Sequence, residues 1–145
     1  MDVRKALDRL LRPSETAYAH CDLPCGVYDP AQARIEAESV RAIQERYQDA
    51  ERFKTPGQTV DDYRARALVI KEERAHLVKE HLWVLWTDYF TPAHLERHPQ
   101  LHDLFWRATK EAGIAKKSQD PAQGQKLLDL IGEIDGIFRQ TKQEA

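Results

Sequence analysis

The sequence predicts an all-α protein, an antiparallel four-helix bundle. Three observations carry that reading. Apolar residues recur at spacings of three and four in four separate stretches, with no convincing strand pattern between them. Two of the starts, Asp29-Pro30 and Asp120-Pro121, place a capping side chain before a proline. Proline is tolerated at the first helical position, where its missing N–H is not needed. The connections are short and built from helix breakers.

The first helix is expected from Pro30 to about Ala50, with Glu36, Val40, Ile43 and Tyr47 on one line. A loop through Lys54-Thr55-Pro56-Gly57 follows. Thr59-Val60-Asp61-Asp62 has the spacing of a capping box, with Asp in place of Glu. It opens a second helix, from about Val60 to Tyr89, with Tyr63, Ala67, Ile70, Arg74, Leu77 and His81 on one line. Thr91-Pro92 starts a third helical region, broken near His98-Pro99 and continuing to Ala112 over Leu101, Leu104, Phe105 and Ala108. The fourth helix runs from Asp120-Pro121 to about Thr141 and carries Leu127, Ile131, Ile134 and Phe138. Trp83, Trp86 and Trp106 read as core or subunit-interface residues, and His81 as a satisfied core histidine.

Glu36 and Arg74 each interrupt an apolar line. A buried charge needs a partner. The economical solution pairs the two across the first and second helices, near one end of the bundle.

At 145 residues the chain is one domain by size. It is 41% hydrophobic and 32% charged, an ordinary balance for a soluble helical protein. No apolar run approaches the ~20 residues needed to span a bilayer. A net charge of −2 gives no sign of nucleic acid or an anionic membrane as partner.

The first 19 residues hold Arg4, Lys5, Arg9 and Arg12 against Asp2, Asp8 and Glu15, so their removal takes the net charge from −2 to −3. They end in Ala17-Tyr18-Ala19, a small-x-small sequence that suits a peptidase. A secretory signal needs an uninterrupted apolar core of about 7–15 residues. Here charges interrupt Leu7, Leu10 and Leu11. Residues 1–19 therefore read as a cytoplasmic propeptide; the alternative is a short amphipathic helix that stays attached.

The chemistry concentrates in the run His20-Cys21-Asp22-Leu23-Pro24-Cys25-Gly26-Val27-Tyr28. It holds both cysteines and one of the six histidines. A cut after Ala19 by a processing peptidase would free the α-amine of His20. The terminus then offers that amine, the His20 imidazole, the Cys21 amide nitrogen and the Cys21 and Cys25 sulfurs. Two nitrogens and two sulfurs in a plane, with an imidazole above, suit a d⁸ ion such as Ni(II); Cu(II) is the second choice. The turn Asp22-Leu23-Pro24 brings Cys25 round to close the square, and Asp22 sets backbone hydrogen bonds within it. Two cysteines in a reducing compartment are more often free or metal-bound than paired. With no second Cys pair, a zinc finger does not fit.

His20 to Val40 resembles the metal-binding hook and first helix of nickel-dependent superoxide dismutase. Lys71-Glu72-Glu73-Arg74, the run Val84 to Phe90, and Gln119 to Lys126 fit the same family, and the similarity extends from His20 to about Lys142. The resemblance implies a precursor cut after Ala19, with a hook at 20–28 and a bundle at about 30–142. It implies one nickel ion per subunit held by His20, Cys21 and Cys25. It implies dismutation of superoxide by a Ni(II)/Ni(III) couple that thiolate and amide donors bring within reach. His20 is then the axial ligand of the oxidised state, oriented by Glu36 and Arg74. Tyr28 and Tyr89 flank the open face of the metal and admit only small anions. The assembly expected is a homohexamer. Two departures stand out: the loop from Asp49 to Gly57 is longer than the family pattern, and Thr91 stands where a lysine is expected after Tyr-Phe. Attraction of superoxide must then come from other local lysines and arginines. Two further classes remain open: a non-catalytic nickel or copper binding and delivery protein, and a helical interaction module with incidental cysteines.

Overall fold

The computed structural model describes residues 26–143. The Asp-Pro starts behave as the sequence predicts. Ala31 N–H donates to Asp29 Oδ1 at 2.7 Å, and Ala122 N–H donates to Asp120 Oδ1 at 3.0 Å. These aspartates open α1 (Ala31–Gln48) and the last helix, α6 (Pro121–Gln143). A four-residue helix, α2 (Ala50–Phe53), sits in the connection after α1. Thr59 caps α3 (Val60–Val84): its hydroxyl accepts Asp62 N–H at 3.1 Å and donates to Asp62 Oδ2 at 2.7 Å.

The end of α3 departs from the expected regular helix. Leu85–Tyr89 forms a π turn, in which Phe90 N–H reaches back five residues to the Leu85 carbonyl at 3.3 Å. Then come α4 (Pro92–Arg97), the anticipated break at His98-Pro99, and α5 (Leu101–Lys117). α5 runs five residues beyond the expected Ala112 because Ala112 and Ala115 continue its buried face.

Among the described residues there are six helices and no strand. α1, α3, α5 and α6 form the bundle, each packing on two neighbours in the cycle α1–α3–α5–α6. Polar contacts fix the directions. Gln44, near the end of α1, donates to the carbonyls of Ala115 and Ser118 at the end of α5. It also lies against Gly124 at the start of α6. So α1 runs parallel to α5 and antiparallel to α6.

The core stripes of α5 and α6 fall where expected. Leu101, Leu104, Phe105 and Ala108 are buried, as are Leu127, Ile131, Ile134 and Phe138. In α1 and α3 the centre lies to one side of the expected lines. It runs through Ala33, Ala37, Val40 and Gln44, and through Ala67, Lys71, Ala75, Val78 and Leu82. Ile43, Tyr47, Ile70, Leu77 and His81 are only partly covered. Alanines take up much of that buried centre, and the larger side chains lie along its flanks. Trp86 packs on the core, but Trp83 and Trp106 are 46% and 61% exposed, so neither is a core residue of this chain.

Lys71 is fully buried at that centre. Its ammonium donates to the Ser118 carbonyl and to Gln119 Oε1. Gln44 and Lys71 thus satisfy carbonyls that the end of α5 leaves unpaired. Burial holds the Lys71 amine below its ordinary pKa, opposed by the neighbouring Glu72 carboxylate.

Candidate metal centre

His20, Cys21, Asp22 and Cys25 lie outside the described residues, as do residues 1–19. The structure describes the chain that follows them, from Gly26, and the end of the bundle that this chain joins. The chain enters through Gly26, whose φ of +65° favours glycine and turns it toward α1. Tyr28 follows, two residues before the buried Pro30 that opens α1.

The hook meets the bundle where α1 begins and where the π turn and α6 end. Tyr28 and Tyr89 stand side by side there, with ring centroids 5.7 Å apart and planes at 51°. Tyr89 is held on several sides. Phe138 lies 4.7 Å from it, Phe90 meets it edge-on at 5.0 Å, and His94 stacks at 5.6 Å. Its phenol oxygen is 2.7 Å from Thr141 Oγ1. Leu82 and Leu85 face the core, and Tyr89, the last residue of the π turn, packs against the same core from beside Tyr28.

Glu36 and Arg74 are brought together as the sequence predicts. Arg74 Nη1 donates to both carboxylate oxygens of Glu36, at 3.2 and 3.3 Å. The pair is not fully buried. Glu36 is 15% exposed and Arg74 35%, because both sit on the flank between α1 and α3. Glu36 belongs to the second turn of α1, on the hook side of the bundle.

Sequence reasoning missed Thr141 and Lys142. Thr141 was readable: it is the next position on the stripe Leu127, Ile131, Ile134, Phe138, and it is buried. Lys142 carried no local signal, since it donates to the Gly26 carbonyl at 3.4 Å, 116 residues away.

Among the described residues no group of three or more His, Cys, Asp or Glu could hold a metal ion. The donors that fit one are those of the hook: two thiols, an imidazole and backbone nitrogen, a soft set matched to a late transition metal. Gly26 joins that set directly to the tyrosine pair.

Comparison with known proteins agrees. Residues 15–142 match the family model described as nickel-containing superoxide dismutase. The chain is 55% identical over 136 residues to a superoxide dismutase [Ni] from Streptomyces coelicolor, covering 94% of this chain and 98% of the relative. It is 56% identical over 138 residues to one from Streptomyces seoulensis, with the same coverage. Among solved structures, a native nickel superoxide dismutase at 1.30 Å superposes with a TM-score of 0.75 at 55% identity. That match covers 85% of this chain and 99% of the other. A structure whose nickel ligation corresponds to the oxidised state gives a TM-score of 0.76 at 56% identity, covering 86% and 99%. A sequence run rich in soft donors, a helical bundle with two tyrosines side by side where the chain after that run joins it, and this breadth of similarity lead to one conclusion: the chain belongs to the nickel-containing superoxide dismutase family.

Proposed function

We propose that the metal of this protein is held by His20, Cys21 and Cys25 once residues 1–19 have been removed after Ala19. As a family member the protein dismutates superoxide, two anions and two protons giving dioxygen and hydrogen peroxide, with nickel as cofactor. Bound in the hook, nickel supplies a one-electron couple that thiolate donation brings within reach of superoxide. The single observation that supports the assignment of the site is the sequence of the donor run His20–Cys25, which leads through Gly26 to Tyr28, whose ring stands beside that of Tyr89.

The remaining residues have supporting roles. Tyr28 and Tyr89 wall the approach and exclude anions larger than superoxide. Asp22 holds the turn between the two cysteines. Glu36, fixed by Arg74, orients the His20 imidazole, as groups behind metal-bound histidines commonly do. The charge-broken leader supports a cytoplasmic location. Among the described residues no helix is long and apolar enough to cross a membrane. Assembly as a homohexamer is supported by the family and by the exposed Trp83, Trp106 and Val69, which a lone subunit leaves in water.

The test is to prepare the chain beginning at His20, add one equivalent of Ni(II), and measure superoxide consumption beside the uncut chain. Activity only in the cut form is expected and establishes the terminal amine as a ligand. Equal activity in both forms would refute the coordination by the amine. Activity in neither would turn the reading toward metal delivery or copper.

A further inference from the structure

Two adjacent residues in the last turn of α6 hold the entrance to the site. Thr141 is 1% exposed. Its hydroxyl has one proton, and that proton goes to the Phe138 carbonyl at 2.8 Å. The 2.7 Å contact with Tyr89 must therefore have the phenol as donor and Thr141 as acceptor. This fixes where the Tyr89 hydroxyl points: into α6, with its proton engaged. Lys142 acts from the outside. Its ammonium lies over Tyr89, 5.0 Å from the ring centroid, and 5.5 Å from that of Phe138. From there it donates to the Gly26 carbonyl at 3.4 Å. Gly26 follows Cys25 directly, so the lysine ties the backbone next to the second cysteine onto the ring that walls the approach.

We propose that Thr141 and Lys142 are positioning residues of the metal centre. Thr141 sets the direction of the Tyr89 phenol, and Lys142 clamps the exit of the hook at Gly26 across the Tyr89 ring. This rests on the hook reading given above. It adds that the end of α6, distant in sequence, decides how firmly the Cys25 side of the hook is held. Neither residue touches the reacting atoms, so both act through the groups they fix.

The test uses the chain beginning at His20 in its metal-free and nickel-loaded forms. Lys142→Met keeps the apolar stem over the rings and removes the ammonium; Lys142→Arg restores the charge and the donors. In the metal-free protein, amide hydrogen exchange across residues 26–29 should quicken roughly 3- to 10-fold in Lys142→Met. It should stay within about twofold of the parent in Lys142→Arg, a range narrower than the loss of one hydrogen bond. In the loaded protein, Lys142→Met should release nickel to excess chelator faster by a similar factor. A purely structural role for an exposed terminal lysine would leave both unchanged. Thr141→Val, nearly isosteric, should leave nickel content unchanged. It should alter inhibition by azide, a small anion, by about threefold or more, the scale of one lost hydrogen bond. Unchanged exchange and unchanged nickel release in Lys142→Met would overturn the clamp. A Lys142→Arg protein as fast as Lys142→Met would overturn it too. The exchange arm needs no metal, so it stands apart from the hook reading, which fails separately if Cys25→Ser still takes up nickel like the parent.

Discussion

Replacing Gly124 by alanine should destabilise this bundle, although alanine is the better helix former. Gly124 is buried in the first turn of α6, facing α1. A Cβ placed there would lie 2.5 Å from Gln44 Oε1, 2.7 Å from Arg41 Cβ and 2.8 Å from Arg41 Cα. Carbon atoms in contact sit about 3.5–4.0 Å apart, so roughly 1 Å must open. Gln44 could swing away only by giving up its bonds to Ala115 and Ser118, at about 1 kcal/mol each. The Arg41 backbone cannot yield unless α1 itself moves. Overpacking of this kind costs about 1–3 kcal/mol. Relief of glycine's entropy in a helix returns about 0.5–1 kcal/mol. The expected net loss is therefore about 1 kcal/mol, within a range of about 0–2.5 kcal/mol, a fall in Tm of roughly 3–4 °C at the centre of that range for a chain this size. Gly136 provides the control: it is exposed in the same helix, and a methyl group placed on it would meet nothing within 4 Å. Gly136→Ala should gain about 0.5–1 kcal/mol. Thermal and urea unfolding of both variants, followed by far-UV circular dichroism at one fixed protein concentration, decides it. If Gly124→Ala matched the parent while Gly136→Ala rose, the close approach of α1 and α6 would not be a constraint and the reasoning would fail.

Two other perturbations address the site and the buried polar centre. Glu36→Gln and Arg74→Met should each lower superoxide consumption less than Cys25→Ser, which should abolish it while far-UV helicity persists; because Arg74 is 35% exposed, neither should cost more than about 1 kcal/mol of stability. Unaltered activity in both would make the ion pair purely structural. For Lys71, burial lowers the folded pKa below the 10.5 of an unfolded lysine. Between that lowered value and 10.5 the unfolded chain binds more protons, so this residue's contribution to stability rises with pH across the window. The stability of the parent relative to Lys71→Met should therefore increase from neutral pH toward 10.5, and denaturant midpoints that stayed parallel would contradict it.

The Glu36–Arg74 pair shows how far the sequence could be read. The partners were correct, but the apolar lines proposed for α1 and α3 ran along the flank of the interface instead of its centre. Counting large apolar side chains drew those lines through Ile43 and Ile70, whereas Ala33, Ala37 and Ala75 are among the residues fully buried between the helices. Small residues bury little area each, so periodicity undervalues them. Gln44 and Lys71 were hidden for another reason. Both occupy core positions because the end of α5 presents carbonyls to them, more than 45 residues further on. No local pattern announces that. The caps at Asp29, Thr59 and Asp120 were fully legible, since they depend only on neighbours two or three residues away. At the site, Tyr28 and Tyr89 were singled out by resemblance as flanking the metal, and their rings stand side by side, while the lysine that joins Tyr89 to Gly26 became visible only in three dimensions.

The π turn at Leu85–Tyr89 has a consequence for the length of the chain. One residue on a regular helix corresponds to a rotation of about 100°. The wide turn holds one residue more than an α-helical turn would need and absorbs it, so Tyr89 and Phe90 leave it with nearly the phase of a regular helix one residue shorter. Shortening Trp86-Thr87-Asp88 by a single residue would let α3 run on as an ordinary helix, its last turn closing on Leu85 after four residues instead of five, with the tyrosine still turned toward Tyr28. The reach of the site thus depends on where that turn closes more than on the number or identity of the residues inside it, of which Thr87 and Asp88 are exposed.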